Sequence, residues 1–193
     1  ASSAQFLALY AAINCLEKEA DAKFAVGARR VFKMMNKGPS GMDVLAQALG
    51  GVTIAQPSSD RLAAKPWAFE DLGFFVIRTG IKVSTHEHLR DLDTRDFNEL
   101  KKISDMAISA FDANDEFGFS DAVNNYHKQL MREKLVANYT QDIYVALKKN
   151  PLIIGAKGCG AMSADTMMIL FRRENREMVR DYLSTDLDKT IIA

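Results

Sequence analysis

The stretch Gly38-Pro39-Ser40-Gly41-Met42-Asp43 decides the reading of this chain, because a Pro/Gly loop there opens onto the apolar run Val44-Leu45-Ala46-Gln47-Ala48-Leu49. Proline and glycine punctuate the backbone, and the apolar spacing beyond them predicts a helix from about Gly41 to Leu49, closed by Gly50-Gly51. Asp43 stands where loop becomes helix. A carboxylate so placed is fixed in position yet reachable, which suits a group that orients or deprotonates a small hydroxyl substrate. An ordinary acidic residue in a first helical turn gains a few tenths to about 1 kcal/mol from the helix dipole, so the position alone does not assign a role. Its context comes from two other stretches, Ala1-Ser2-Ser3-Ala4 and Gly155-Ala156-Lys157-Gly158-Cys159-Gly160-Ala161.

The 193 residues, 48% of them hydrophobic, suit one large domain or two small ones and can bury a sizeable core. The 25 basic and 25 acidic residues cancel without a basic face, so nucleic acid is not an expected partner. Cys15 and Cys159 show no zinc-finger spacing, which fits a reduced, cytoplasmic protein. No apolar run reaches the roughly 20 residues of a membrane span, so no membrane partner is expected either.

Outward from the loop, Phe6, Leu7, Leu9, Tyr10, Ile13 and Leu16 recur at helical spacing, predicting a largely buried helix from Ser3 to about Ala20 with serines ahead of it as caps. A second helix is expected from Asp21 to about Met35. Val52-Thr53-Ile54-Ala55 reads as a short strand. Trp67-Ala68-Phe69 and Phe74–Thr79 read as an antiparallel pair across a turn at Asp71 and Gly73. Helices are expected over about 85–92, 94–111, 119–132 and 140–149, then a strand or turn at Leu152-Ile153-Ile154. A buried strand at Thr166–Phe171 and a charged helix at Arg173–Tyr182 complete the pattern.

Ser-Ser-Ala leading into a helix, Pro-Ser-Gly-x-Asp some forty residues on, and Gly-Ala-Lys-x-x-Gly-Ala near the end occur in the order found in the GHMP kinases (galactose, homoserine, mevalonate and phosphomevalonate kinases). The chain resembles that superfamily, and the mevalonate kinases in particular. Arg78-Thr79-Gly80-Ile81-Lys82-Val83-Ser84-Thr85 stands where those enzymes have a strand ending of the type Asn-Thr-Lys-Val-Pro-Arg-x-Thr. The resemblance implies an α+β fold: helices of the N-terminal, ATP-binding domain over residues 1–60, and a ferredoxin-like C-terminal domain over 61–193. It implies ATP-dependent phosphorylation of a small metabolite hydroxyl, with ATP and Mg2+ as cofactors and mevalonate as the expected substrate.

In that reading Asp43 is the catalytic base. Ser2 and Ser3 meet the nucleotide phosphates, Ser3 being the magnesium contact, and Gly158 and Gly160 let the backbone approach the phosphates. Ser40, Gly41 and Thr79 line the substrate site. Phosphoryl transfer requires positioning and charge neutralisation together with one such base. The expected partners are the small-molecule substrate, a second copy in a homodimer, and an upstream segment completing the nucleotide site, since a chain opening on a helix cap is expected to come from a longer protein.

The chain departs from the family at several points. The magnesium-binding glutamate of mevalonate kinases, eleven residues before the aspartate, falls on Phe32, and Met162-Ser163-Ala164-Asp165 replaces a run of glycines. Thr85-His86-Glu87-His88 replaces a stretch that carries an arginine, and its alternating histidines do not share a helix face as metal ligands would. A phosphomevalonate or sugar kinase, or a non-catalytic metabolite- or partner-binding homologue, stays open beside the mevalonate reading. Ser2 and Ser3 also suit ordinary caps, Gly158 and Gly160 ordinary turn glycines, and His127 a solvated or hydrogen-bonded residue.

Overall fold

The computed structural model describes residues 3–14, 20–36, 40–55, 62–80, 96–160 and 163–193. The chain divides into two units, Ala1–Ala68 and Phe69–Ala193. The first holds helices α1 (Ser3–Ile13), α2 (Ala22–Met35) and α3 (Met42–Leu49), and the antiparallel strands β1 (Val52–Ala55) and β2 (Leu62–Lys65), with Val52 opposite Lys65. Helix α2 begins where Asp21 accepts a bond from the Phe24 amide at 2.7 Å, satisfying one orphan donor of the first turn. It ends where the backbone and side-chain nitrogens of Asn36 both bond the Phe32 carbonyl. Phe6, Ala28, Phe32 and Val44 form the core joining the three helices, the Phe6 and Phe32 rings meeting edge to face at 5.1 Å. Burying one such phenyl ring contributes roughly 2–3 kcal/mol.

Helix α1 differs from its expected form. It ends at Ile13, where Asn14 bonds the Tyr10 carbonyl through both its backbone and its side chain. Only Phe6 is buried, while Leu9 and Ile13 are 60% and 71% exposed. Apolar residues surround this helix on every side, but the core of α2 and α3 packs against one stripe of it.

The second unit holds β3 (Leu72–Arg78), α4 (Asn98–Asp112), α5 (Glu116–Arg132), α6 (Asn138–Leu147), β4 (Ile153–Cys159), β5 (Thr166–Arg172) and α7 (Arg176–Asp181). A 3₁₀ turn, Arg173–Asn175, precedes α7, and a π-helical turn, Tyr182–Asp186, follows it. The sheet order is β3-β5-β4, all neighbours antiparallel. Residues 190–193 run beside the free edge of β3, with Val76 and Arg78 amides donating to Ala193 and Thr190 and the Ile192 amide donating to Val76. Counting that segment, the chain forms the split βαβ arrangement of a ferredoxin-like sheet.

One sheet face carries Phe75, Ile77, Met167, Ile169 and Phe171 into a core with Tyr144 and Leu147 of α6, Val179 of α7 and Leu183. A register irregularity between Ile153 and Gly155 lets Ile153 and Ala156, three residues apart, join the same core.

The expected pairing of Trp67-Ala68-Phe69 with Phe74–Thr79 does not form. Strand β3 pairs instead with β5, Phe75 opposite Ile169, and 67–69 is not a strand. Strand β5 is buried on both faces through Met167, Ile169, Leu170 and Phe171, so it takes the central position and the long-range pairing outweighs the local turn. Phe69 packs separately against the rings of Phe111 and Phe119, at 5.3 and 5.1 Å. The helix expected at 85–92 lies outside the described residues.

Candidate functional site

In the first unit the Pro-Ser-Gly-x-Asp stretch turns into α3 through Gly41, whose φ of +67° lies in the left-handed region that glycine adopts without strain. A Cβ there would stand 2.9 Å from Cγ of Arg29 on α2. That arginine also donates from Nε to the Ser40 carbonyl at 2.9 Å, and the Ser40 hydroxyl accepts a 3.4 Å bond from the Met42 amide. The loop is thus braced from α2 and from within. It delivers Asp43 to the first turn of α3 with its side chain exposed.

Ser3, at the first turn of α1, accepts a bond from the side chain of Gln47 at 3.0 Å. Gln47, which the sequence did not single out, lies one helical turn beyond Asp43 on α3. Ser2 lies outside the described residues. Phe32 is 6% exposed, sits in the aromatic core and offers no donor atom. Position 32 therefore offers magnesium no ligand, and in the first unit Ser3 supplies a single hydroxyl oxygen. Among the described residues no three His, Cys, Asp or Glu side chains come together as a metal site. His86 and His88 lie outside the described residues.

In the second unit the structure brings Thr79 and the glycine turn together. The Thr79 hydroxyl bonds the carbonyls of Ala164 and Asp165, and its amide donates to Asp165 at 3.3 Å. Tyr139 of α6 donates to the Ala164 carbonyl at 3.3 Å, and burial first among several causes pushes its phenol upward. A Cβ on Gly158 would stand 2.4 Å from Cβ of Ser163, and Gly160, with φ of +85°, would place one 2.7 Å from Oδ2 of Asp165. The chain's own return from β4 to β5 thus fills the space that these glycines leave. Among the described residues Oδ1 of Asp165 is buried without a hydrogen-bond partner.

Two residues of α5 hold the strand that leads into this turn. Asn124 donates to the Ile154 carbonyl at 2.8 Å and accepts from the Ala156 amide at 3.2 Å. His127, fully buried, accepts the Gly158 amide at Nδ1 at 3.3 Å. Desolvation first, and the charge of Lys157 second, push the His127 imidazole down to about 4. The sequence marked neither residue as functional, since a helical asparagine and histidine carry no motif; their spacing of three, which puts both on one helix face, is the only signal present. A separate cleft of about 680 Å³, lined by Glu70, Asp71, Glu116, Phe117, Arg172 and Arg173 among others, contains none of the sequence-predicted residues. No described helix is long and apolar enough to cross a membrane.

No protein-family model and no curated protein sequence matches the chain. Solved structures do. The mevalonate kinase of L. major, determined in complex with R-mevalonate, superimposes with a TM-score of 0.71 at 19% identity, over 94% of this chain and 60% of its own. The Lactococcus lactis galactokinase, complexed with galactose, gives 0.77 at 12% identity over 100% of this chain and 64% of its own. The homoserine kinase of Cytophaga hutchinsonii gives 0.63 at 14%, over 95% and 60%. This chain thus spans less than two thirds of the length of each. Over nearly all of its length the chain therefore has the fold that these mevalonate, galactose and homoserine kinases share.

Proposed function

We propose that the full-length protein transfers the γ-phosphoryl group of ATP to a hydroxyl of a small metabolite, mevalonate being the first candidate and phosphomevalonate or a sugar the alternatives. The observation that carries this reading is Asp43: an exposed carboxylate in the first turn of α3, on a loop braced by Arg29, within a fold shared with kinases of mevalonate, galactose and homoserine. Its role is to orient the attacking hydroxyl and accept its proton as the bond to phosphorus forms. Ser3 contacts the nucleotide phosphates, positioned by Gln47. In the first unit Ser40 and Gly41 shape the substrate side of the Asp43 loop; in the second the backbone of the Gly158–Gly160 turn is the part offered to phosphate, while Thr79, buried with its hydroxyl on two carbonyls, braces that turn. Ser3 would be the protein contact of the magnesium ion that accompanies ATP and would supply it one hydroxyl oxygen, since Phe32 offers it no donor.

The test is ADP release by the full-length protein against mevalonate, phosphomevalonate, galactose and other sugars, with Asp43→Asn as control. A general base contributes about 10²–10⁴-fold, so turnover in the variant should fall by that factor. Unchanged turnover would remove Asp43 from the mechanism.

A second reading, a metabolite- or partner-binding homologue without phosphoryl transfer, is favoured by the replacement of a metal-binding carboxylate with buried Phe32. It predicts calorimetric binding of one of these metabolites with no ADP release.

A further inference from the structure

Strand β4 is the edge of its sheet, so the backbone groups of Ile154, Ala156 and Gly158 that point away from β5 have no strand to pair with. Edge strands left open in this way cost hydrogen bonds or invite pairing with other chains. Here α5 supplies the partners. The Asn124 side-chain amide bonds Ile154 and Ala156 as one residue of a neighbouring strand would, donating at 2.8 Å and accepting at 3.2 Å. One turn on, Nδ1 of His127 accepts the Gly158 amide at 3.3 Å. Between them Tyr126 presents its ring 5.0 Å from the Lys157 ammonium, which itself reaches the Gly158 carbonyl at 3.2 Å. The last two anchors fall on the residues that begin the 158–160 turn.

We propose that His127 is a positioning residue: as a neutral imidazole carrying its hydrogen on Nε2, it fixes the Gly158 amide and thereby the backbone of the Gly158–Gly160 turn. The tautomer follows from geometry, since an acceptor at Nδ1 must be unprotonated and the remaining hydrogen then sits on Nε2. Among the described residues that nitrogen is buried without an acceptor, and so is the hydroxyl of Tyr144, whose ring packs 4.3 Å from the imidazole. The imidazole is therefore held by its contacts and by the single bond it accepts. The consequence for nucleotide binding rests on the kinase reading above; the clamp itself does not.

The variants His127→Asn, His127→Gln and His127→Leu separate the two. Asn carries an acceptor where Nδ1 stands, Gln carries one where Nε2 stands, and Leu carries none. In the wild type, nitrogen-15 spectra should show the Nε2-hydrogen form, and the Gly158 amide should exchange slowly. His127→Asn should keep exchange and KM for ATP within about threefold of wild type, whereas Gln and Leu should speed exchange and raise KM by about tenfold, the ratio expected for one lost hydrogen bond, with less change in kcat. An Nδ1-hydrogen tautomer or wild-type exchange in both the Gln and Leu variants overturns the clamp, and faster exchange with unchanged KM overturns its link to the nucleotide. If Leu does not fold, the contrast between Asn and Gln decides. If the wild type neither binds nor hydrolyses ATP, the kinase reading fails, while exchange and tautomer still decide the clamp.

Discussion

The side-chain amide of Gln47 donates to the hydroxyl of Ser3 at 3.0 Å, tying the first turn of α1 to α3 one turn beyond Asp43. Both side chains are accessible, so removing the bond should cost little stability, about 0.5–1.5 kcal/mol. Under the kinase reading the effect should be on the nucleotide. Gln47→Leu is expected to raise Kd for ATP several-fold with kcat nearly unchanged. Titration calorimetry and steady-state kinetics check this, and an unaltered Kd would separate Ser3 from the phosphates.

Gly41 is the hinge that delivers Asp43. Gly41→Ala forces a Cβ into the left-handed region, costing roughly 1–2 kcal/mol, and presses it onto Cγ of Arg29. Part of the clash is relieved because the arginine is flexible. Urea unfolding should show a loss of about 1–2 kcal/mol, and turnover should fall because Arg29 also holds Ser40. A variant as stable as the wild type would mean that the loop does not need this conformation.

Much of the helical architecture was readable because helix α2, helix α3, helices α4 to α6 and strand β5 announce themselves through 3.6-residue or continuous apolar patterns bounded by Asp21, Gly50-Gly51 and similar stops. Strand β2 and the partner of β3 were not readable. Leu62-Ala63-Ala64-Lys65 lacks β-branched and aromatic residues, and it pairs only because β1 lies opposite. The choice of β5 as partner for β3 is settled by burial across almost a hundred residues, which no local signal encodes. Of the candidate residues, Asp43 and Ser3 in the first unit and Thr79 and the glycines in the second were proposed from motifs. Arg29, Gln47, Asn124 and His127 could not, because each acts on backbone or hydroxyl groups that only the fold brings near.

Thr79 is almost fully buried and its hydroxyl faces two carbonyls, those of Ala164 and Asp165. Thr79→Val keeps the shape and removes the donor, so it should destabilise the second unit by about 1–3 kcal/mol, while Thr79→Ser should restore most of that. Thermal unfolding of the pair gives the answer. If Val and Ser behave alike, the hydroxyl does not contribute to stability.

His127 makes stability depend on pH in a definite direction. The unfolded chain takes up the proton near 6.5, the folded one only near 4. Between those values the unfolded state binds more protons, so the contribution is complete above pH 6.5 and is lost as pH falls toward 4. A shift of this size corresponds to about 3 kcal/mol. The charged group facing the imidazole is Lys157. Urea unfolding at pH 7, 5.5 and 4.5 should show the gap between wild type and His127→Asn narrowing or reversing toward acid, whereas a constant gap would mean that the imidazole is accessible to protons in the folded state.

Phe32 sets the limit on how far the family's chemistry can be restored. Its ring packs edge-on against Phe6 at 5.1 Å and is 6% exposed, in a core shared with Ala28 and Val44. Phe32→Glu removes a large apolar side chain, at a cost of about 3–5 kcal/mol for truncation alone. It also buries a carboxyl group for which this core holds no partner, adding a further penalty or forcing the acid to stay protonated. The combined loss approaches the whole stability of a domain of this size, about 5–15 kcal/mol. The variant should therefore unfold the first unit, seen as loss of helical circular dichroism, rather than gain a metal ligand. A folded Phe32→Glu protein that binds ATP more tightly in the presence of magnesium would show that the core can open at this position and that the carboxylate can serve as a metal ligand.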